Sequence, residues 1–264
     1  LGDEAANRML KTLEEPAWFV HLILLTDRLP DVLPTINSRC QLVRFDAPTE
    51  EAVASELRTP GLSADEALAC ARLSLGDLDL ARELAGEEGA ALRAQAERLA
   101  LAALAGQAAM NRPWSELLAA VRDRGDAVRR ELESRAQAEL ELYPRKERKR
   151  VESEWSERVR RARRRVETRA LDLALQVVAL WFADLAALAW GAPELVRHVH
   201  RLDALQSQAR LDPQRLLNAV ELVEETRRRF ELNVSEELAC EALTYRLEQL
   251  LSLIHISEPT RQAE

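Results

Sequence analysis

The densest run of side chains able to do chemistry lies between Arg145 and Arg169. Twelve Lys/Arg stand there against five Glu, a local charge of +7 in a chain whose formal net charge is −8. Cations repeated along one helix can follow a phosphate backbone, and on that reading Arg160, Arg161, Arg163 and Arg164 would hold DNA. The same run also fits a solvated helix face. Val151, Trp155, Val159, Ala162, Val166 and Ala170 step by 4, 4, 3, 4, 4, a narrow apolar stripe. One side of the helix must therefore pack, and Asp126 to Leu142 is the expected antiparallel partner, its acids offsetting the charge. Trp155 is the lone aromatic of the segment and belongs to the stripe, so base stacking is not expected.

A second candidate stands alone. Arg39 lies in the segment Thr35-Ile36-Asn37-Ser38-Arg39-Cys40. A guanidinium can grip two phosphate oxygens at once. On the residues alone, an Arg paired with a nearby acid at a helix start is the better reading. Thr26 puts a hydroxyl at the end of an apolar run, where a simple strand-end cap is the plain reading. His198-x-His200 is the closest histidine pair, and helical geometry would point the two apart. Cys40, Cys70 and Cys240 lie far apart without a CxxC spacing, so no metal site is expected. Neither GxxxxGK[ST] nor GxGxxG occurs, and no Ser/His/Asp or Cys/His arrangement can be argued.

The elements that would position these groups are mostly helical. Apolar residues make up 47% of the 264 positions while aromatics are 4%, and Ala, Leu, Glu and Arg dominate. Such side chains lose little freedom in a helix. The length allows two or three compact units. Asp3 to Glu15 reads as a helix stopped by Pro16. Val20 to Thr26 is a continuous apolar run of strand length, the form of a strand buried on both faces; Leu42 to Phe45 is a second short strand. From Thr49 the pattern is helical: Thr49 to Arg58, then a helix opened by a Ser63–Glu66 capping box, then Leu78 to Ala85. Longer helices follow at Ala90–Ala105, Trp114–Arg124, Asp126–Leu142, Arg145–Trp190, Asp212–Phe230 and Ser235–Leu250. Leu171 to Trp190 is apolar enough to suggest a membrane span. It carries Asp172 and Asp184, each costing roughly 2.5–3.5 kcal/mol at a bilayer centre, so a buried core helix is the better expectation.

The sparse, odd cysteine count fits a reducing compartment, and the acidic balance argues against a general nucleic-acid-binding tail. The chain opens on Leu1 and no signal peptide is expected there. The tail from Leu251 to Arg261 resembles the in-frame translation of a transposase-adaptor oligonucleotide used in sequencing libraries. Residues 251–264 are accordingly set aside, and the expectation is a gene fragment cut at both ends.

Three stretches carry a resemblance. Ala5-Ala6-Asn7-Arg8-Met9-Leu10-Lys11-Thr12-Leu13-Glu14-Glu15-Pro16 resembles the A-A-N-A-L-L-K-T-L-E-E-P-P helix of bacterial clamp-loader subunits. Leu33 to Cys40 resembles the L-P-T-I-x-S-R-C segment of the sensor-1 half of an AAA+ module, whose SRC motif gamma/tau and delta-prime types share. Leu232 to Leu243 resembles the last collar helix of the same subunits. The resemblance runs from Leu1 to Leu250, with specific motifs only at its ends.

It implies a mostly α chain: the end of an AAA+ α/β domain at 1–48, a small three-helix lid at 49–88, and a C-terminal helical collar at 89–250. It implies that Arg39 is an arginine finger entering a neighbouring subunit's ATP site, an effect worth ~10³–10⁵ in turnover in GTPases. Thr26 would stand in the sensor-1 place. Family ATPases set a sensor-2 arginine three residues after a glycine; here Gly76 is followed by Asp79, with Arg82 a turn later. A carboxylate there would repel a triphosphate, which points to the non-hydrolysing delta-prime type. Implied partners are gamma/tau and delta subunits in a hetero-pentamer, the sliding clamp and primer-template DNA, in the cytoplasm and away from membranes. ATP and Mg would sit in the neighbour, with no cofactor held here. An ATP-hydrolysing gamma/tau subunit and a plain helical interaction protein are the alternatives.

Overall fold

The computed structural model describes residues 10, 12–57, 61–208, 211–230 and 234–251, the side chain of residue 109 excepted. The chain divides into two compact units, Leu1–Ala47 and the residues from Pro48 onward. Most of the helix expected at Asp3 to Glu15 and the tail beyond Leu251 lie outside the described residues.

In the first unit residues 12–14 are helical and a 3-10 turn spans Leu29–Asp31. A four-residue helix, α1 (Pro34–Asn37), begins on its proline, whose fixed φ suits a first turn. The two expected strands do not form: 20–26 and 41–49 carry no ladder among the described residues. A strand apolar on both faces needs pairing neighbours and covering layers. Ile36 is the one buried side chain among the described residues of this unit. Ile23, Leu25 and Phe45 are 84–90% exposed, so nothing here supplies a layer.

The second unit is helical throughout its described elements and shares one core. Thr49 caps α2 (Glu50–Glu56), its hydroxyl accepting from the Ala52 N–H at 3.2 Å. Ser63 and Glu66 form the expected capping box at the start of α3 (Ala64–Leu73), the serine Oγ accepting from the Glu66 N–H and the Glu66 carboxylate from the Ser63 N–H. Asp77 caps α4 (Leu78–Ala85). These caps satisfy backbone donors that a helix start leaves unpaired. Then come α5 (Glu87–Leu104) and α6 (Ala108–Asn111). The core runs unbroken from Val53 in α2 through Leu84 and Leu92 to the later helices.

The passage from α4 to α5 is tight. A Cβ on Gly89 would stand 2.0 Å from the Glu83 carbonyl oxygen and 2.6 Å from Leu84 Cα, both backbone atoms. Gly89→Ala is expected to lower stability by about 1–2 kcal/mol, where helix propensity alone would raise it by about 1. Urea unfolding of the full chain reads the sign, and a stabilised variant would contradict the contact.

Two helices expected at Trp114–Arg124 and Asp126–Leu142 are one, α7 (Pro113–Leu142). Gly125 does not break it. The glycine is buried where α7 crosses Glu167, and a Cβ there would meet that side chain at 2.5 Å. After Pro144 follows α8 (Arg145–Ala189), 45 residues long, or about 68 Å at 1.5 Å per residue. Its C-terminal half is the spine of the core, burying Leu171, Leu175, Trp181, Phe182 and Leu185. It is apolar enough to span a bilayer, and 72% of its most apolar window is buried within the protein. Both aspartates are matched. Asp172 takes a two-pronged bond from Arg227 (2.8 and 3.0 Å), and Asp184 is described below.

Two 3-10 turns, Pro193–Leu195 and Val199–Arg201, lead into α9 (Leu202–Gln208), α10 (Pro213–Arg229) and α11 (Glu236–Leu251). Asp212 caps α10. Leu251 closes α11 inside the core at 1% exposure.

Candidate functional site

Arg39 follows α1, and its guanidinium is already engaged. Nε donates to Glu14 Oε1 at 2.8 Å, while Nη1 donates to the Thr35 carbonyl at 2.9 Å and to Ser38 Oγ at 3.3 Å. The side chain remains 36% exposed and that of Glu14 48%. The acid-paired arrangement legible in the residues is thus present. An exposed pair of this kind contributes only about 0–1 kcal/mol, so the guanidinium can exchange Glu14 for another anion at little cost. Thr26 is an exposed turn residue whose Oγ1 accepts from the Arg28 N–H at 3.1 Å. No hydrogen bond joins it to Arg39 among the described residues.

At the start of α4, Arg82 Nη1 lies 3.2 Å from Asp79 Oδ1, one helical turn apart. Asp79 and Arg82 thus engage one another on the surface of α4.

The basic helix packs as expected. Its stripe residues Val151 and Val159 are buried against α7, together with Ala136. Arg163 reaches across to Asp126 at 3.3 Å and pairs along its own helix with Glu167 at 2.8 Å. None of these three buried residues belongs to the main core, so the distal hairpin extends beyond it. Arg148 closes the tip by donating to the Tyr143 carbonyl at 2.9 Å. Of the four arginines singled out for DNA, three hold carboxylates: Arg160 with Glu157, Arg163 as above, and Arg164 with Glu236 of α11 at 3.1 Å. The Arg160 hydrogen bond holds the Glu157 carboxyl below its usual range, and Arg161 adds to that effect. Arg161 itself has no ion pair among the described residues.

One buried polar cluster went unrecognised in the sequence. Asp184 is fully buried and accepts from the backbone N–H groups of Arg197 and His198, both at 2.8 Å. It also contacts His198 Nδ1 at 2.8 Å and takes a bond from Arg197 Nη1 at 3.2 Å. The available signal was an Asp inside an otherwise apolar helical run, which requires a partner. His198 precedes and His200 lies within a 3-10 turn rather than a helix, and their rings lie 6.2 Å apart instead of diverging. No group of three His, Cys, Asp or Glu able to hold a metal occurs among the described residues. Burial pushes the Cys240 thiol up to about 12 and raises Cys70 as well, so both are inert.

Burial, then the nearby Arg93, lowers the His200 pKa to about 4 from a usual 6.5. Between those values the unfolded chain takes up a proton that the folded chain refuses. Stability is therefore full above pH 6.5 and falls as the pH drops toward 4. Because the ring is partly solvated, the expected loss is about 1–2 kcal/mol rather than the full value of the shift. His200→Gln should flatten that part of the pH profile of the urea midpoint; an unchanged slope would assign it to other groups.

Comparison with known proteins bears on the first unit most directly. A family model described as "DNA polymerase III, delta subunit" matches residues 1–49. The chain is similar to the DNA polymerase III subunit delta' of Escherichia coli (strain K12), 36% identical over 123 residues, or 46% of this chain and 35% of that protein. It is also similar to the subunit delta' of Haemophilus influenzae (strain ATCC 51907 / DSM 11121 / KW20 / Rd), 37% identical over 84 residues, 31% of this chain and 26% of that protein. The matched region spans about a third of the first relative and about a quarter of the second.

Proposed function

We propose that this chain is a non-catalytic component of a bacterial DNA polymerase III clamp loader of the delta' type, which helps ATP-driven loading of the sliding clamp onto primed DNA. The observation that carries this reading is the similarity of residues 1–49 to the delta-subunit family, a region that contains Arg39. Arg39 supplies its guanidinium in trans to the ATP site of a neighbouring subunit, where ATP and Mg are bound. It stabilises charge on the transferring phosphoryl group. Its exposure and its exchangeable pairing with Glu14 support that role.

The Asp79–Arg82 pair favours a subunit without hydrolysis of its own over the gamma/tau type. The lid at 49–88 and the collar at 89–250 hold the subunit beside gamma/tau and delta in a five-membered cytoplasmic assembly. The test is DNA-stimulated ATP hydrolysis by the reassembled loader carrying Arg39→Ala. A rate equal to that of the parent removes the finger role.

A further inference from the structure

Among the described residues, the ion pairs of the distal hairpin leave a different set of cations unengaged from the four that the sequence singles out for the DNA reading. Arg158, Arg161 and Arg165 recur at i, i+3 and i+7 on one flank of α8. All three are exposed, and none has an ion pair among the described residues. The acids on the same face are committed elsewhere, Glu154 to Arg150 at 3.2 Å and Glu157 to Arg160. Arg158 lies over the Trp155 ring, 4.7 Å from its centroid, a cation–π contact, and remains exposed. Toward the tip, Arg145, Lys146 and Lys149 are likewise exposed and without an ion pair among the described residues.

Unpaired like charges a turn apart repel one another, and cations in a first turn oppose the helix dipole. Within the fold Glu147 in the first turn, Glu157 beside Arg161 and the Trp155 ring under Arg158 offset part of that cost; an external polyanion would offset more.

We infer that this flank of α8 is a sequence-independent contact for the phosphate backbone of duplex DNA, with Arg158, Arg161 and Arg165 at its centre. Arginine forks suit phosphate oxygens, and the 25 residues from Arg145 to Arg169, all within one continuous helix, offer about 37 Å of track. An anionic membrane is the poorer fit, because an interfacial helix needs a free apolar face and the apolar stripe here is spent on α7. Outside residues 126–169 the chain carries 35 acids against 22 Lys/Arg, so DNA would be repelled from the body and confined to the hairpin. The inference stands apart from the role of Arg39, and either can fail alone.

The test is fluorescence anisotropy of a labelled 30-base-pair duplex titrated with the full chain across a salt series. Arg158→Gln/Arg161→Gln/Arg165→Gln is expected to weaken binding at least tenfold at 0.1 M salt and to reduce the salt slope by about 2–3, at about 0.9 per lost phosphate contact. The matched triple Arg160→Gln/Arg163→Gln/Arg164→Gln, which removes the same charge from paired positions, should lose less. Equal losses from the two triples would reduce the effect to net charge and overturn the assignment. So would absence of salt-dependent binding by the parent chain. Binding to phosphatidylserine vesicles that DNA does not compete away would hand the surface to a membrane and also overturn it. Arg158→Lys/Arg161→Lys/Arg165→Lys, which keeps the charge, should retain the salt slope, and far-ultraviolet circular dichroism of each variant checks that the fold is kept.

Discussion

Asp184→Ala is expected to lower the unfolding free energy by about 3–4 kcal/mol, close to what removing one partner of a buried ionic pair costs. The carboxylate lies at 0% exposure inside α8 and meets four donors. Truncation strands the N–H groups of Arg197 and His198 and the His198 ring, each buried donor costing about 1–3 kcal/mol when unsatisfied. The Arg197 guanidinium is 33% exposed and can turn to water, which keeps the loss from being larger. Asp184→Asn retains one acceptor oxygen and should lose about half as much. Urea unfolding of the full chain followed by circular dichroism measures both. A loss below about 1 kcal/mol for the alanine variant would mean that the turns from Pro193 to Arg201 are anchored by packing alone, an outcome within the ordinary range for surface positions.

On the proposed finger role, Arg39→Ala should abolish most of the turnover at the one ATP site the guanidinium would serve. By analogy with arginine fingers the loss there is about 10³-fold or more, and the bulk rate of a reassembled loader falls by that site's share. Arg39→Lys keeps the charge without the planar fork and should recover little. Glu14→Gln gives the decisive contrast. It removes the competing carboxylate at a stability cost of about 0–1 kcal/mol, the range for an exposed pair, and should leave turnover equal to or above that of the parent. A purely structural Arg39–Glu14 pair makes the opposite prediction: both variants would behave alike, with small effects on stability and none on hydrolysis.

Helix placement followed closely from local signals. Thr49, the Ser63–Glu66 box, Asp77 and Asp212 mark their helix starts because a side-chain oxygen there meets an unpaired N–H one turn on. Such bonds are settled within four residues. The stripe from Val151 to Ala170 likewise announced a helix with one packed side, since 3.6-residue periodicity needs no distant information.

Other features depend on neighbours remote in sequence. Val20–Thr26 has the composition of a buried strand, yet composition supplies no ladder, and no other described segment of its unit pairs with it. Gly125 reads locally as a break; α7 runs through it, and Glu167 takes the space that a side chain there would need. Which arginines of α8 are engaged also lay beyond local spacing, because Arg163 and Arg164 reach Asp126 and Glu236 on other helices.

By itself the sequence determined a mostly α chain, its capped helices, a basic helix with one packed side, and Arg39 as a site of interest. The tertiary structure decided which charges are spent. It placed Glu14 on Arg39 and set Asp184 against the N–H groups of Arg197 and His198, the His198 ring and the Arg197 guanidinium, and among the described residues it left Arg158, Arg161 and Arg165 without ion pairs. Ion pairing depends on distances of a few ångströms between residues far apart in the chain, and only the fold sets those.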